Sequence, residues 1–287
     1  MINEFQIVFA GIKFALIALI FSFFTISFRW KVIFNFLKLK SYNNIQRAHS
    51  DEVSRLGGLL VYIFMWISCL LYDNDNQLLL NLMISTIPFA IISVYEDLFH
   101  NTSQKIRLFG MLASCFIFFY INPVDFPKID IPFFGDLINV SPVYYIFFTF
   151  SIMVIMNGMN FIDGMNGILG FTLLSQIIAL ILLSYISSDY EFIDILFIMS
   201  FSLAIFIFFN YPFGKVFAGD FGAYFYGFLI AMLVIIYFGK NDQLISWKAI
   251  LLLFYPSMEV LFSFVRKWMS ANGNPLDPDD LHLHTMI

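Results

Sequence analysis

Between an apolar run from Pro142 to Met156 and a second that starts at Ile168, the chain reads Asn157-Gly158-Met159-Asn160-Phe161-Ile162-Asp163-Gly164-Met165-Asn166-Gly167. Three asparagines, an aspartate and three glycines thus stand where one apolar helix ends and the next begins. The polar residues fall three apart, so each shares a helix face with the next, while Gly164 and Gly167 allow the backbone to turn. A carboxylate and carboxamides at a membrane boundary carry a desolvation cost, which points to a functional site. The plainer alternative is that Asp163 caps the following helix and the asparagines join helices by hydrogen bonds.

Four other segments carry groups of the same kind. Arg47-Ala48-His49-Ser50-Asp51-Glu52-Val53-Ser54-Arg55-Leu56-Gly57-Gly58 is basic and ends in paired glycines as an apolar run begins. Glu96 and Asp97 are adjacent acids at the end of a run, with Lys105 and Arg107 following. Paired carboxylates suit a metal or a proton transfer, and cations suit phosphate; a solvated, salt-bridged loop is the bland alternative. Phe217-Ala218-Gly219-Asp220-Phe221-Gly222-Ala223 sets an aspartate between glycines ahead of another run. An N-terminal cap explains that aspartate, and glycines also let a ligand phosphate approach the backbone. Pro275-Leu276-Asp277-Pro278-Asp279-Asp280-Leu281-His282-Leu283-His284 places two histidines two apart, which point the same way on an extended backbone and apart on a helix; loose loop histidines are the plainer alternative.

The elements that must position these groups are membrane helices. Of 287 residues, 60% are hydrophobic, 20% aromatic and 12% charged, and the mean hydropathy is +0.84. A soluble chain could not hide that much apolar surface. Spanning helices need about 20 apolar residues, and nine runs are read as spans: Phe5–Phe28, Leu56–Tyr72, Leu78–Tyr95, Leu108–Ile121, Pro142–Met156, Ile168–Ser187, Phe192–Phe209, Phe221–Phe238 and Ile245–Val265. The fourth and fifth are short, so tilt or neighbouring helices must make up the length. Pro88 and Pro256 lie inside runs and are expected to kink them. No repeat or linker divides residues 1–287, so a single integral-membrane domain is expected. Cys69 and Cys115 sit within apolar runs and imply no disulfide framework.

Basic residues give the orientation. Arg29, Lys31, Lys38, Lys40, Arg47, Arg55, Lys105, Arg107, Lys215, Arg266 and Lys267 fall on one side, against Lys128, Lys240 and Lys248 on the other. The positive-inside rule puts the first side in the cytoplasm. Asp97, Asp163, Asp220, His282 and His284 fall on that same side. A transporter would instead be expected to set ionisable groups near the midplane.

In this order, the segments resemble the polyprenyl-phosphate N-acetylhexosamine-1-phosphate transferases. That superfamily (glycosyltransferase family 4) includes the enzymes that initiate O-antigen and common-antigen synthesis and the phospho-MurNAc-pentapeptide translocase. NGMNFIDGMNG is similar to the family's N-x-x-N-x-x-D-G-x-[DN]-G, and FAGDFGA to F-x-G-D-x-G-[SA]. RAHSDEVSRLGG resembles the basic loop ending in Arg-x-Gly-Gly, and PLDPDDLHLH the P-D-R-x-H-x-H segment. The resemblance spans about Arg47 to His284.

It implies an all-α, polytopic membrane helix bundle of about nine to eleven transmembrane helices with cytoplasmic active-site loops. The implied reaction is Mg²⁺-dependent (with Mn²⁺ as a substitute): polyprenyl phosphate attacks the β-phosphorus of a UDP-N-acetylhexosamine and releases UMP. Asp220 would be the metal ligand. Asp97 would deprotonate or orient the lipid phosphate, and Asp163, Asn160 and Asn166 would line the nucleotide and metal site. Lys105 or Arg107 would face phosphate, and His282 and His284 the donor's diphosphate or sugar. Arg47, His49 and Arg55 would belong to the access region for lipid phosphate or nucleotide.

The resemblance further implies a multi-pass protein of the bacterial inner (plasma) membrane whose partners are undecaprenyl phosphate and a UDP-sugar, with no nucleic acid and with a homodimer as one arrangement. Glu96 replaces the first Asp of the family's Asp-Asp pair, Asn166 stands where many members have Asp, and Asp280 where many have a basic residue. The family pattern also leads one to expect a further span or two beyond Ile287. Leu281-His282-Leu283-His284, rather than three consecutive histidines, resembles the branch that starts O-antigen (lipopolysaccharide), common-antigen or teichoic-acid-type cell-wall glycans, with UDP-GlcNAc or a related donor. A catalytically silent relative acting as an assembly partner, or a transporter, are the alternatives.

Overall fold

The computed structural model describes Arg55 and residues 57–71, 77–99, 101–129, 135–138, 140–212, 214, 216–241 and 247–269. Eleven helices form among them: α1 Gly57–Leu71, α2 Gln77–Ser85, α3 Ile87–Phe99, α4 Gln104–Ile121, α5 Gly135–Ile138, α6 Val143–Ile162, α7 Ile168–Ile186, α8 Tyr190–Asn210, α9 Gly219–Lys240, α10 Trp247–Leu252 and α11 Phe254–Met269. The fold class is all-helical, and the protein is a membrane protein. Five of these helices (α4, α6, α7, α8 and α9) are long and apolar enough to span a bilayer, and a sixth span arises if the bent pair α2–α3 is one. The expectation of nine to eleven spans is therefore met only in part among the described residues; the run Phe5–Phe28 lies outside them.

Several runs differ from their expected form, each for a local reason. The third breaks into α2 and α3, bent by 46°. Pro88 has no N–H to give the carbonyl four residues earlier, and Thr86 closes α2 by donating its hydroxyl to Met83 O at 2.6 Å. The ninth breaks at Leu253 into α10 and α11, with Pro256 in the first turn of α11. α4 starts four residues before Leu108, because Ser103 accepts the amide of Ile106 at its N-terminus. Lys105 and Arg107 are thus helical residues, not loop residues. α6 continues past Met156 to Ile162, so Asn157 and Asn160 lie in its last two turns.

α9 is the axis of the bundle. Every residue from Gly219 to Gly239 except Asp220 is buried, which an all-round apolar sequence requires. It packs most extensively on α6 and then on α1, α3 and α7. Small residues permit the closest approaches, as expected where lipid removes the hydrophobic drive between helices. A Cβ added to Gly227 would lie 2.7 Å from Met156 Cα, and one added to Gly58 would run into the backbone of Gly222. The N-terminus of this central helix is where the candidate motifs meet.

Candidate active site

The capping residue Ala218 and the first three residues of α9, Gly219-Asp220-Phe221, have amides with no partners within the helix. Ala218 provides no side-chain cap. The partners come from two other helices. Asp97, near the end of α3, accepts Asp220 N on Oδ1 and Phe221 N on Oδ2, both at 2.9 Å. Asp163, the residue following α6, accepts Gly219 N on Oδ2 at 3.0 Å. Gly219 takes the left-handed conformation at φ 73° that aims these amides outward.

The paired glycines ahead of α1 complete this floor. Gly57 N donates to Phe217 O and Gly58 N to Ala218 O, each at 3.0 Å. The Arg-x-Gly-Gly segment is therefore fastened by its backbone to the segment that carries Asp220. Arg55, immediately before it, is exposed and lies near enough to influence the Asp163 carboxyl.

Asp220 itself points away from the floor. Its Oδ2 accepts a charge-assisted bond from Arg107 Nη1, across from α4, and the two side chains keep 15% and 19% of their accessibility. Lys105, one half-turn earlier on α4, is exposed. Asn160 donates through Nδ2 to the hydroxyl of Tyr224, 3.3 Å away on the next turn of α9. Glu96 turns from its neighbour Asp97 and accepts Thr102 N on Oε2 at 2.6 Å. Its longer arm tethers the turn that leads into α4 and Arg107.

Asp163 carries an altered acidity. Withdrawal of its carboxyl from water raises it most, the amides of Gly219 and Ala218 and the charge of Arg55 pull it down, Asp220 raises it, and the balance is pushed up to about 8.

The turn from α6 to α7 is made at Gly167, φ 86°; Gly164 does not take a left-handed conformation. Gly167 N donates to Asn210 Oδ1 at 2.6 Å, and Asn210 Nδ2 donates to Val216 O at 2.8 Å. Asn166 sits against Gly214, where an added Cβ would lie 2.6 Å from Asn166 Nδ2, and its Oδ1 is buried with no hydrogen-bond partner among the described residues.

Asp97, Asp163, Asp220, Arg107, Arg55 and Asn160 thus converge on one helix terminus, while Asn166 lies on the adjoining turn and Lys105 at the exposed rim. Arg47, His49, His282 and His284 lie outside the described residues. Sequence reading had missed Asn210 and Tyr224. Asn210 carried one available signal: it is a carboxamide closing an otherwise apolar run, directly before Tyr211-Pro212.

The sequence profile of glycosyl transferase family 4 matches residues 79–238, more than half of the 287-residue chain. The chain belongs to glycosyl transferase family 4. It is 26% identical over 240 residues to an undecaprenyl-phosphate alpha-N-acetylglucosaminyl 1-phosphate transferase of Thermotoga maritima, covering 83% of this chain and 69% of that protein. Against a Saccharolobus solfataricus protein named for UDP-N-acetylglucosamine–dolichyl-phosphate N-acetylglucosaminephosphotransferase activity, identity is 32% over 197 residues, or 65% of this chain and 59% of the relative. Against a phospho-N-acetylmuramoyl-pentapeptide-transferase of Streptococcus pyogenes it is 24% over 244 residues, 77% of this chain and 72% of the relative. The family match runs from α2 to the end of α9, and so contains Asp97, Arg107, Asn160, Asp163 and Asp220 together.

Proposed function

We propose that this family 4 protein transfers an N-acetylhexosamine 1-phosphate, GlcNAc 1-phosphate in the first instance, from a UDP-sugar to undecaprenyl or another polyprenyl phosphate. UMP is the second product. The step would open assembly of a cell-surface polysaccharide at the cytoplasmic face of the bacterial plasma membrane. The observation that carries this reading is the meeting of Asp97, Asp163, Asp220 and Arg107 at the buried N-terminus of α9. The name of the Thermotoga relative supports the lipid phosphate, and that of the Saccharolobus relative the UDP-sugar.

The residues suit the task by charge and by place. A lipid phosphate and a diphosphate repel one another, so a transferase must neutralise both where they meet. Arg107, Lys105 and Arg55 supply positive charge, while the amides at the start of α9 are taken by Asp97 and Asp163. Asn160 and Asn166 offer carboxamides for a nucleotide or sugar, and a terminus between membrane helices lets the lipid tail stay in the bilayer.

The site fits Mg²⁺ in a particular way. Among the described residues no three His, Cys, Asp or Glu side chains are set to enclose a metal, and both oxygens of Asp97 are taken by amides. Asp220 is the carboxylate directed outward. Mg²⁺ is commonly held by one or two carboxylates, waters and substrate phosphates, and that mode suits Asp220 with a bound diphosphate. Such a metal supplies charge neutralisation at the transferred phosphoryl group. Arg107 would then exchange its carboxylate partner for a substrate phosphate.

The test is transfer of label from a panel of UDP-N-acetylhexosamines to undecaprenyl phosphate in membranes, with Mg²⁺ or EDTA. Metal-dependent labelling of lipid with release of UMP, lost in Asp220→Asn at equal expression, is the expected result. Wild-type membranes that label no lipid from any donor would overturn the reading.

A further inference from the structure

The family resemblance casts Asp97 as a group that deprotonates or orients the lipid phosphate, yet its surroundings describe another task. It is 6% exposed, and each carboxylate oxygen accepts one amide from the second and third residues of α9. With Asp163 on Gly219 N, three successive amides of a buried helix terminus are satisfied by carboxylates from α3 and α6. Without them these amides would be left unpaired at a largely buried helix end. The residue whose amide rests on Asp97 Oδ1 is Asp220 itself. The position of its outward carboxylate therefore depends on the clamp below it.

We propose that Asp97 is a positioning residue, which fixes the Asp220 carboxylate by capping α9, and that it takes no proton from the lipid phosphate. The inference rests on the proposed transfer reaction and deepens it. The chemistry needs no base at this point. A phosphate monoester has a second pKa near about 6, so at neutral pH it is already largely a dianion with a nucleophilic oxygen. One of its oxygens forms the new P–O bond to the β-phosphorus. The bond from the β-phosphorus to the bridging oxygen breaks, and its electron pair leaves on the phosphate of UMP. Charge and atoms balance with no proton transferred.

Two readouts on the full-length protein in nanodiscs decide the matter: affinity for Mn²⁺ by electron paramagnetic resonance, without lipid or nucleotide, and turnover with Mg²⁺. Asp97→Asn keeps one acceptor oxygen, Asp97→Glu keeps both on a longer arm, and Asp97→Ala keeps none. A positioning role makes the two readouts fall together. Asp97→Ala should bind Mn²⁺ at least about tenfold more weakly, and Asp97→Asn should lose turnover only in proportion to its lost affinity.

Wild-type Mn²⁺ affinity in Asp97→Asn with turnover at background would overturn the proposal in favour of a proton acceptor. Wild-type affinity in Asp97→Ala would overturn the clamp. If Asp97→Ala does not fold, the Asn and Glu variants decide alone. No transfer by wild-type protein from any donor would sink the proposed function, whereas the Mn²⁺ series would still judge the clamp.

Discussion

Gln176 on α7 donates through Nε2 to the backbone carbonyl of Leu252, 2.9 Å away, and Leu252 is the residue whose carbonyl Pro256 leaves without an intrahelical donor. A helix break inside the membrane is tolerated where a neighbouring side chain satisfies the freed group. Gln176→Leu is expected to destabilise the protein by about 1 kcal/mol. In a Pro256→Ala background, where the helix can close its own bond, most of that loss should vanish. A double-mutant cycle on unfolding in detergent measures this, and a coupling energy of zero would show that the bond contributes nothing.

Gly219 stands between Arg55 and Asp97 at φ 73°, and a Cβ there would lie 2.8 and 2.9 Å from the two Asp97 oxygens. Gly219→Ala should therefore disturb the clamp directly, with a backbone cost of about 1–3 kcal/mol added. Turnover is expected to fall at least about tenfold, together with Mn²⁺ affinity. Gly58→Ala, which meets the Gly222 backbone, should lower the thermal midpoint first, because it parts α1 from α9. Equal effects of the two substitutions on metal binding would contradict this division.

Which parts were legible in the sequence follows the physics of each signal. The long runs that became α6, α7, α8 and α9 were plain, because a membrane helix must be apolar over its whole length. Their ends were less so: the apolar run stops at Met156, yet Asn157 and Asn160 lie in the last turns of α6, which continues to Ile162. Asp163 and Asp220 stood out as acids at run boundaries, but that Asp163 serves α9 rather than the next helix is a contact between segments 56 residues apart. No spacing rule reports such contacts. The Arg-x-Gly-Gly segment read as basic, whereas its described contacts with the Asp220 segment are backbone to backbone.

Glu96 departs from the family's Asp, and its structural use explains the longer side chain. It reaches Thr102 N at 2.6 Å and ties the end of α3 to the turn before α4. Glu96→Gln keeps an acceptor and should stay close to wild type in stability. Glu96→Asp shortens the arm and should cost about 1 kcal/mol, with a weaker hold on the turn that presents Arg107. A thermal shift series in detergent reads this order. Loss of stability in Glu96→Gln equal to that in Glu96→Asp would mean that the charge, not the reach, matters.

Asn210 is 2% exposed and makes two bonds of opposite sense, accepting from Gly167 N at 2.6 Å and donating to Val216 O at 2.8 Å. It thereby joins the Asn166 turn to the segment that leads into Asp220. Asn210→Asp keeps the acceptor but turns a second oxygen toward the Val216 carbonyl, so it should be at least as damaging as Asn210→Ala. Each is expected to cost about 2–3 kcal/mol, since a buried backbone group is left unpaired. Both should loosen the Asn166 turn, seen as faster hydrogen exchange at Gly167 and the residues after it. Protection unchanged in both variants would remove Asn210 from any part in holding the site together.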